Sequence, residues 1–320
     1  MIPQTDPLAL DTSATAARLQ SFIVDGVRRL NRRGVVLGVS GGIDSAVCAA
    51  LAAKALGPQR VFALLMPEKD CSAEGTSRAL TLCSRLGIPH QIVDITQVLA
   101  AFGYERERDA AIRAIFPDWG KGWRHKIVTT ARPLERDGIT QFDLVVQDCD
   151  GTTQIRRLPL DAYLHLVAAT NFKQRIRKTI EYFHADRLNH AVVGTPNRLE
   201  YELGFFVRGG DGLADIKPIA SLYKTQVYAL AEHLGVPEEI RSQPPSTDTY
   251  TLPQTQEEFY FAVPYALADR VLHALECGSS AEATAAALEL EPEQVRRLFK
   301  DFTAKRRVAA RFLGEALRPE

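Results

Sequence analysis

The junction at residues 35–56 constrains this chain more than any other part of it. Val35-Val36-Leu37-Gly38-Val39 is a short β-prone apolar run that reads as a buried strand, and it leads directly into Ser40-Gly41-Gly42-Ile43-Asp44-Ser45. A helical stretch follows over Asp44 to Leu56, stopped by Gly57 and Pro58. Strand, glycine pair and helix start bring several backbone N–H groups to one point, because glycine turns tightly and lets an anion approach without a Cβ in the way. A pyrophosphate group fits such a cradle. The string lacks the Lys-Ser/Thr ending of a Walker A loop and the GxGxxG spacing of a dinucleotide fold. Asp44 among bound phosphates would be repulsive unless a cation lay between, which makes it a candidate Mg²⁺ ligand. The plainer alternative is a turn whose Ser and Asp side chains cap the next helix.

The surrounding pattern extends the strand into a sheet. Apolar positions Ala16, Leu19, Phe22, Ile23, Val27 and Leu30 recur at helical spacing and predict an opening helix that ends near Asn31 to Gly34. Strand-like runs occupy Val61 to Met66, Gln91 to Ile95 and Ala191 to Val193, and a helix over Ala73 to Leu86 is stopped by Gly87 and Pro89. This alternation predicts a parallel sheet with right-handed crossovers, whose ligands sit beyond the carboxyl ends of the strands. From Tyr104 to Pro159 the rhythm breaks. Asp137-Gly138 and Asp150-Gly151 separate β-prone runs at Ile127 to Thr130, Ile139 to Val146 and Thr152 to Leu158, predicting a small antiparallel meander inserted into the α/β unit. Trp119 and Trp123, just before it, are read as the core of the insert, with a lid or partner surface as the alternative. A helix is predicted from Asp161 to Phe183, and a mostly helical tail from Ala262 onward.

Lys+Arg and Asp+Glu balance at 39 each, so no global field favours nucleic acid or an anionic membrane. Cys48, Cys71, Cys83, Cys149 and Cys277 are odd in number and show no CxxC spacing, against a disulfide framework or a zinc knot and in favour of a reducing cytoplasm. Met1 to Thr12 has no basic start followed by an apolar run, and no stretch reaches ~18 consecutive apolar residues.

Ser40 to Ser45 resembles the pyrophosphate loop shared by NAD, GMP and asparagine synthetases. A second block narrows the resemblance to NAD synthetases. It is Val192-Val193-Gly194-Thr195-Pro196-Asn197-Arg198-Leu199-Glu200, continued by Gly204 to Pro218, Leu222 to Val227 and Pro244-Pro245-Ser246-Thr247-Asp248. The resemblance spans nearly the whole chain except the insert. It implies a single domain over 1–320, interrupted by the 104–159 insert, with a doubly wound α/β sheet of the adenine nucleotide α-hydrolase type, in a homodimer. It implies a ligase in which MgATP adenylates the nicotinate carboxylate of deamido-NAD and ammonia displaces AMP. Carried over by position, Asp44 and Glu200 match the Mg²⁺ ligands, and Ser40, Gly41, Gly42, Ile43, Asp44, Ser45, Thr195, Lys224 and Ser246 match ATP contacts. Arg175, Arg208, Asp215 and Lys305 match contacts to deamido-NAD, and Asp44 and Lys224 are the candidate catalytic pair. Lys224 and Mg²⁺ would neutralise the charge of the transition state at the α-phosphate.

The pattern departs at Arg208, where the family usually has Lys, at Gly209 in place of an aromatic, at Gln256 in place of Asp and at Ala304 in place of His. These changes leave room for an AMP-forming amide ligase acting on another carboxylate. A non-catalytic nucleotide-binding homologue would be favoured by loss of Asp44, Ser45, Glu200 or Lys224, and all four are present. Taken singly, Glu200 and Lys224 could be solvated helix charges, Arg175 and Arg177 a basic helix face, and Asp211 and Asp215 turn supports. A glutamine-using enzyme would need a further domain of ~100 residues, and only 39 residues precede Ser40. Free ammonia, or ammonia from a separate glutaminase, is expected.

Overall fold

The 35–39 run forms the centre of the molecule. The computed structural model describes residues 6–135, 141–245, 249–314, 316 and 318. Helix α1 (Thr12–Arg29) is capped by Asp11, whose carboxylate accepts from Ala14 N at 2.9 Å. Then come β1 (Val35–Gly38), α2 (Ile43–Leu56), β2 (Val61–Leu65), α3 (Ala73–Leu86) and β3 (His90–Ile92). After α4 (Thr96–Ala101) and α5 (Tyr104–Arg113) lie β4 (Arg124–Thr129), β5 (Phe142–Gln147) and β6 (Thr153–Arg157). The long α6 (Leu160–Leu188), β7 (Ala191–Val192), α7 (Arg198–Leu203), α8 (Lys224–His233) and α9 (Glu238–Arg241) follow. A π turn at Glu257–Phe261 precedes α10 (Tyr265–Glu276), α11 (Ala281–Leu288) and α12 (Pro292–Leu313).

The main sheet runs β3-β2-β1-β7, all parallel, with Val35 opposite Val61 on one side and Ala191 on the other. Val35 and Leu37 pack with α1, α2, α3 and α8, whereas Val36 packs on the opposite face with residues of α4 and α6. Burial on both faces is why β1 is uninterruptedly apolar. Because β2 and β3 build outward from one side of β1 and β7 returns to the other, β1 and β7 flank the topological switch point. The connections leaving those two strands diverge there and open a crevice at their carboxyl ends.

The antiparallel meander exists as β4-β5-β6. Its second turn contains Gly151 at φ +84°, while Asp137-Gly138 lies outside the described residues. The insert does not begin with β structure, however. Tyr104, Arg108, Ala111 and Ile112 are buried along one face of α5, a helical period masked in the sequence by the Glu and Arg residues around it. Likewise β3 ends at Ile92, short of the predicted Ile95. Trp119 packs with Ile127, Leu144 and Val146 as the core of the meander, and that core is continuous with Leu166 of α6 and with Tyr250. The outer edge of β4 is occupied as well: Leu252 N donates to His125 O at 3.0 Å, and the Gln254 side chain donates to Ile127 O. Helices α10 and α12 pack against α7 around Leu199, Leu203, Phe261 and Phe302. Among the described residues, no helix is long and apolar enough to cross a membrane.

Candidate active site at the ends of β1 and β7

The Ser40–Ser45 loop folds back across the N-terminus of α2. Gly41 sits at φ +84°, and a Cβ there would lie 2.2 Å from Gly75 O, so only glycine lets α3 approach so closely. Ser45 Oγ donates to Gly42 O at 3.0 Å, and Gly42 N donates to Ser40 Oγ at 3.2 Å. These two bonds brace the turn. The N-cap of α2 is Gly42, and no side chain caps the helix. Its first-turn N–H groups have no acceptor within the helix, and the residues that carry them line the crevice. The alternative in which Asp44 or Ser45 merely caps the helix is therefore not what the structure shows.

Asp44, in the first turn of α2, meets two residues from distant parts of the chain. Lys224, at the start of α8 and only 1% exposed, places its ammonium against Asp44 Oδ2. Asp269 holds α8 in position by accepting from Lys224 N at 3.1 Å and Thr225 N at 2.7 Å. Asn197 Nδ2 donates to Asp44 Oδ1 at 3.1 Å. Asn197 and Glu200 also form a reciprocal capping box at the start of α7, with Glu200 N donating to Asn197 Oδ1 and Asn197 N donating to Glu200 Oε2.

Burial, reinforced by the charge of Asp44, pushes the Glu200 carboxyl up to about 8. Burial works against the Lys224 ammonium, but Asp44 and Glu200 outweigh it and raise the affinity of that group for its proton. Two carboxyl groups, one of them held toward its protonated form, thus share one buried cation.

These residues open on one cavity of about 1160 Å³, which is also lined by Thr195, Arg175 and Arg208. That volume exceeds what a single drug-sized ligand needs. Arg175 Nε donates to Arg208 O at 3.2 Å, so the two arginines stand together on the wall. Asp215 is not on it: its carboxylate accepts from Val192 N at 2.8 Å and from the Tyr182 hydroxyl at 3.2 Å, bracing the connection after β7. Nor is Lys305, whose ammonium donates to Tyr260 O at 2.9 Å and to Asp301 at 2.7 Å. Ser246 lies outside the described residues.

Of the departures, Gln256 lines the cavity and accepts from the Tyr265 hydroxyl, Gly209 has φ +72°, and Ala304 is exposed on α12. Three further residues emerge only in three dimensions. Asn197 orients Asp44, Arg78 reaches Gly41 O at 3.4 Å, and buried Lys173 bridges Glu68 and Asp70 at 2.7 and 3.1 Å. For Asn197 a readable signal exists, the Asn-x-x-Glu spacing of a capping box.

A parallel sheet with a glycine-rich anion cradle at its switch point, and a Lys-Asp-Glu cluster over that cradle, defines an α/β nucleotide-binding protein of the ATP-pyrophosphatase class. A sequence model of the NAD synthase family matches residues 15–115 and 141–308, and the chain belongs to that family. The unmatched residues 116–140 fall within the insert. The chain is 52% identical to the NH(3)-dependent NAD(+) synthetase of Rhizobium rhizogenes, over 95% of this chain and 91% of that protein. To the enzyme of the same name from Thermotoga maritima it is 37% identical, over 81% and 85%. The solved NH3-dependent NAD synthetase of Campylobacter jejuni superposes with a TM-score of 0.63 at 26% identity, covering 97% of this chain and all of the other.

Proposed function

We propose that this chain catalyses the ATP-dependent amidation of deamido-NAD to NAD by ammonia, a C–N bond-forming ligase reaction that releases AMP and pyrophosphate. The observation that carries the reading is the convergence of Asp44, Glu200 and Lys224 over the uncapped N-terminus of α2. In the first step a carboxylate oxygen of deamido-NAD attacks the α-phosphate of ATP, and the bond to the β-phosphate breaks. Both partners are anions. The α2 N–H groups would hold the departing pyrophosphate, and the Lys224 ammonium would screen the approach and bind the charge that builds at the α-phosphate. Ammonia then adds to the acyl carbon, AMP leaves, and the nitrogen gives up a proton. Arg175 and Arg208 would hold phosphates of the dinucleotide, a role supported by their guanidinium groups lining the cavity wall.

Among the described residues no cluster of three or more His, Cys, Asp or Glu side chains is arranged to hold a metal. Asp44 and Glu200 nevertheless suit Mg²⁺, which binds to one or two carboxylates and completes its shell with substrate phosphate and water. When bound, Mg²⁺ supplies Lewis-acid neutralisation of the phosphates. The chain's part is to keep two carboxylates beside the cradle, one fixed by Asn197 and the other by its own capping box.

We further infer one domain over 1–320 with the 104–159 segment inserted in it, a homodimer, a cytoplasmic location, and ammonia taken free or from a separate glutaminase. Five free thiols support the reducing compartment. Exposed Phe22 on α1 and Leu30 at its end supply apolar surface that a second copy would cover. Neither another acid nor a non-catalytic role is favoured, since Arg208 keeps a cation on the cavity wall and the Asp44 cluster is intact.

The test is purified protein with MgATP, ammonium and deamido-NAD, following NAD, AMP and pyrophosphate. Equal amounts of all three support the reading. Pyrophosphate release that needs a different acid, or ATP binding without turnover, overturns it.

A further inference from the structure

The stretch that the family model leaves unmatched, 116–140, contains the whole of β4. One edge of that strand pairs with β5, and the other carries the segment 250–258. His125 uses both of its backbone groups there: its N–H donates to the Thr251 hydroxyl at 2.7 Å, and its carbonyl accepts from Leu252 N at 3.0 Å. Ile127 O accepts from the buried Gln254 side chain. Between these two, the Lys126 ammonium sits 2.6 Å from Glu258 Oε1 and 3.3 Å from Pro253 O. Tyr250 and Phe259, at either end of the segment, pack with Trp119 and Ile127 in the core of the meander.

The segment held in this way leads to Lys224. Gln256 accepts from the Tyr265 hydroxyl, and Glu257 Oε1 accepts from Tyr265 N at 2.8 Å, so the first residue of α10 is fixed at both its ring and its backbone. The Lys224 ammonium lies over that ring, 5.3 Å from its centroid. A buried ammonium is drawn to an aromatic face because the ring's quadrupole is negative there. As a neutral amide, Gln256 holds the hydroxyl without adding a negative charge that would compete with Asp44 for the ammonium. A cation shared between a carboxylate and a ring keeps its position only while the ring keeps its own.

We propose that β4 braces the 250–258 segment, and that Glu258, clamped by Lys126, and Gln256 are positioning residues for Lys224, acting through Tyr265. The proposal rests on the role of Lys224 in adenylation given above. Their influence reaches the reaction through the placement of one charge at the α-phosphate. It therefore belongs to the rate of the first step and leaves substrate affinity alone.

The experiment measures pyrophosphate release in a single turnover with MgATP and deamido-NAD, together with steady-state constants and urea unfolding. The variants are Lys126→Glu, Glu258→Lys, the double reversal, Gln256→Leu, Tyr265→Phe and the last two combined. Each charge reversal should slow release roughly threefold to tenfold, the consequence of a slight misplacement, while KM for ATP and for deamido-NAD stays within about twofold. The double reversal should recover most of the loss. Gln256→Leu and Tyr265→Phe should each slow release by a similar factor and together no further, because both cut the same link. Should a reversal fail to fold, Lys126→Ala takes its place. Unchanged release in the Lys126 and Glu258 variants, or in Gln256→Leu, overturns the proposal. So does a loss that the double reversal does not recover, or one confined to KM for deamido-NAD, which would make the segment a substrate contact. A wild-type enzyme that makes no NAD would instead refute the functional reading.

Discussion

Asn197 Nδ2 donates to Asp44 Oδ1 across 3.1 Å, joining the start of α7 to the first turn of α2 at the mouth of the crevice. The same side chain caps α7 and thereby sets the position of Glu200. One residue thus governs the spacing of both carboxylates. Asn197→Ala should cost ~1 kcal/mol of stability through the lost cap. It should also raise the Mg²⁺ concentration needed for half-maximal rate severalfold, more than it changes KM for ammonia. A metal titration of the rate checks this, and an unchanged requirement would show that Asp44 is positioned without Asn197.

Lys224 is the one cation in contact with Asp44 among the described residues, and it is held from behind by Asp269 through backbone bonds. Lys224→Met should lower kcat by roughly 10²–10³, the scale of a lost preorganised charge in a transition state. Lys224→Arg should not restore it, because the planar fork does not fit a pocket built for a compact ammonium. Asp44→Asn should lower turnover sharply as well, because the neutral amide is a poorer metal ligand. Single-turnover pyrophosphate release reads all three, and near-normal rates would remove these residues from the first step.

Lys173 is buried with its ammonium on Glu68 at 2.7 Å, Asp70 at 3.1 Å and Thr249 O at 3.0 Å, tying α6 to the connection after β2 and to the segment beyond Pro245. Lys173→Met would leave two buried carboxylates with less compensation and should cost about 3–5 kcal/mol. Arg108, 3.7 Å from Asp70, should keep the loss toward the lower figure. Urea unfolding measures it, and a loss below ~1 kcal/mol would mean that the carboxylates find water or take up protons freely.

His125 on β4 is fully buried, with Nδ1 3.1 Å from the Thr251 hydroxyl and Nε2 without a partner among the described residues. Burial, helped by the charges of Arg108 and Lys173, drops its pKa to about 3. The folded state therefore keeps the ring neutral, while the unfolded chain takes up a proton below its ordinary value of ~6.5. The contribution is fully present above pH 6.5 and is lost as pH falls toward 3. Between pH 7.5 and pH 5 the stability advantage of the wild type over His125→Gln should shrink by ~2 kcal/mol. Unfolding curves at the two pH values test this, and parallel losses in both proteins would show that His125 does not carry the dependence.

The cradle is legible in the amino-acid sequence because its determinants are local. A β-prone run, two glycines and a helix start sit within a few residues, and helix α2 begins at Ile43, within one residue of the predicted start. The boundaries of α3 and the extent of the parallel core are readable for the same reason, since periodicity and Gly stops act over short range. Helix α5 is not, because its buried face is carried partly by Arg108, a residue type that reads as solvated until its acidic partners are in place.

The sequence alone determined a glycine-paired strand-to-helix loop on a parallel sheet and, through the resemblance, the set of residues to look for around it. Only the tertiary structure decided which of them meet. Lys224 and Asp44 are 180 positions apart and come into contact because α8 packs beside α2, whereas Asp215 and Lys305 spend their charges on nearby partners. A motif specifies residue types, but the packing of helices on both faces of the sheet specifies which side chains face the crevice and which are used to hold it open.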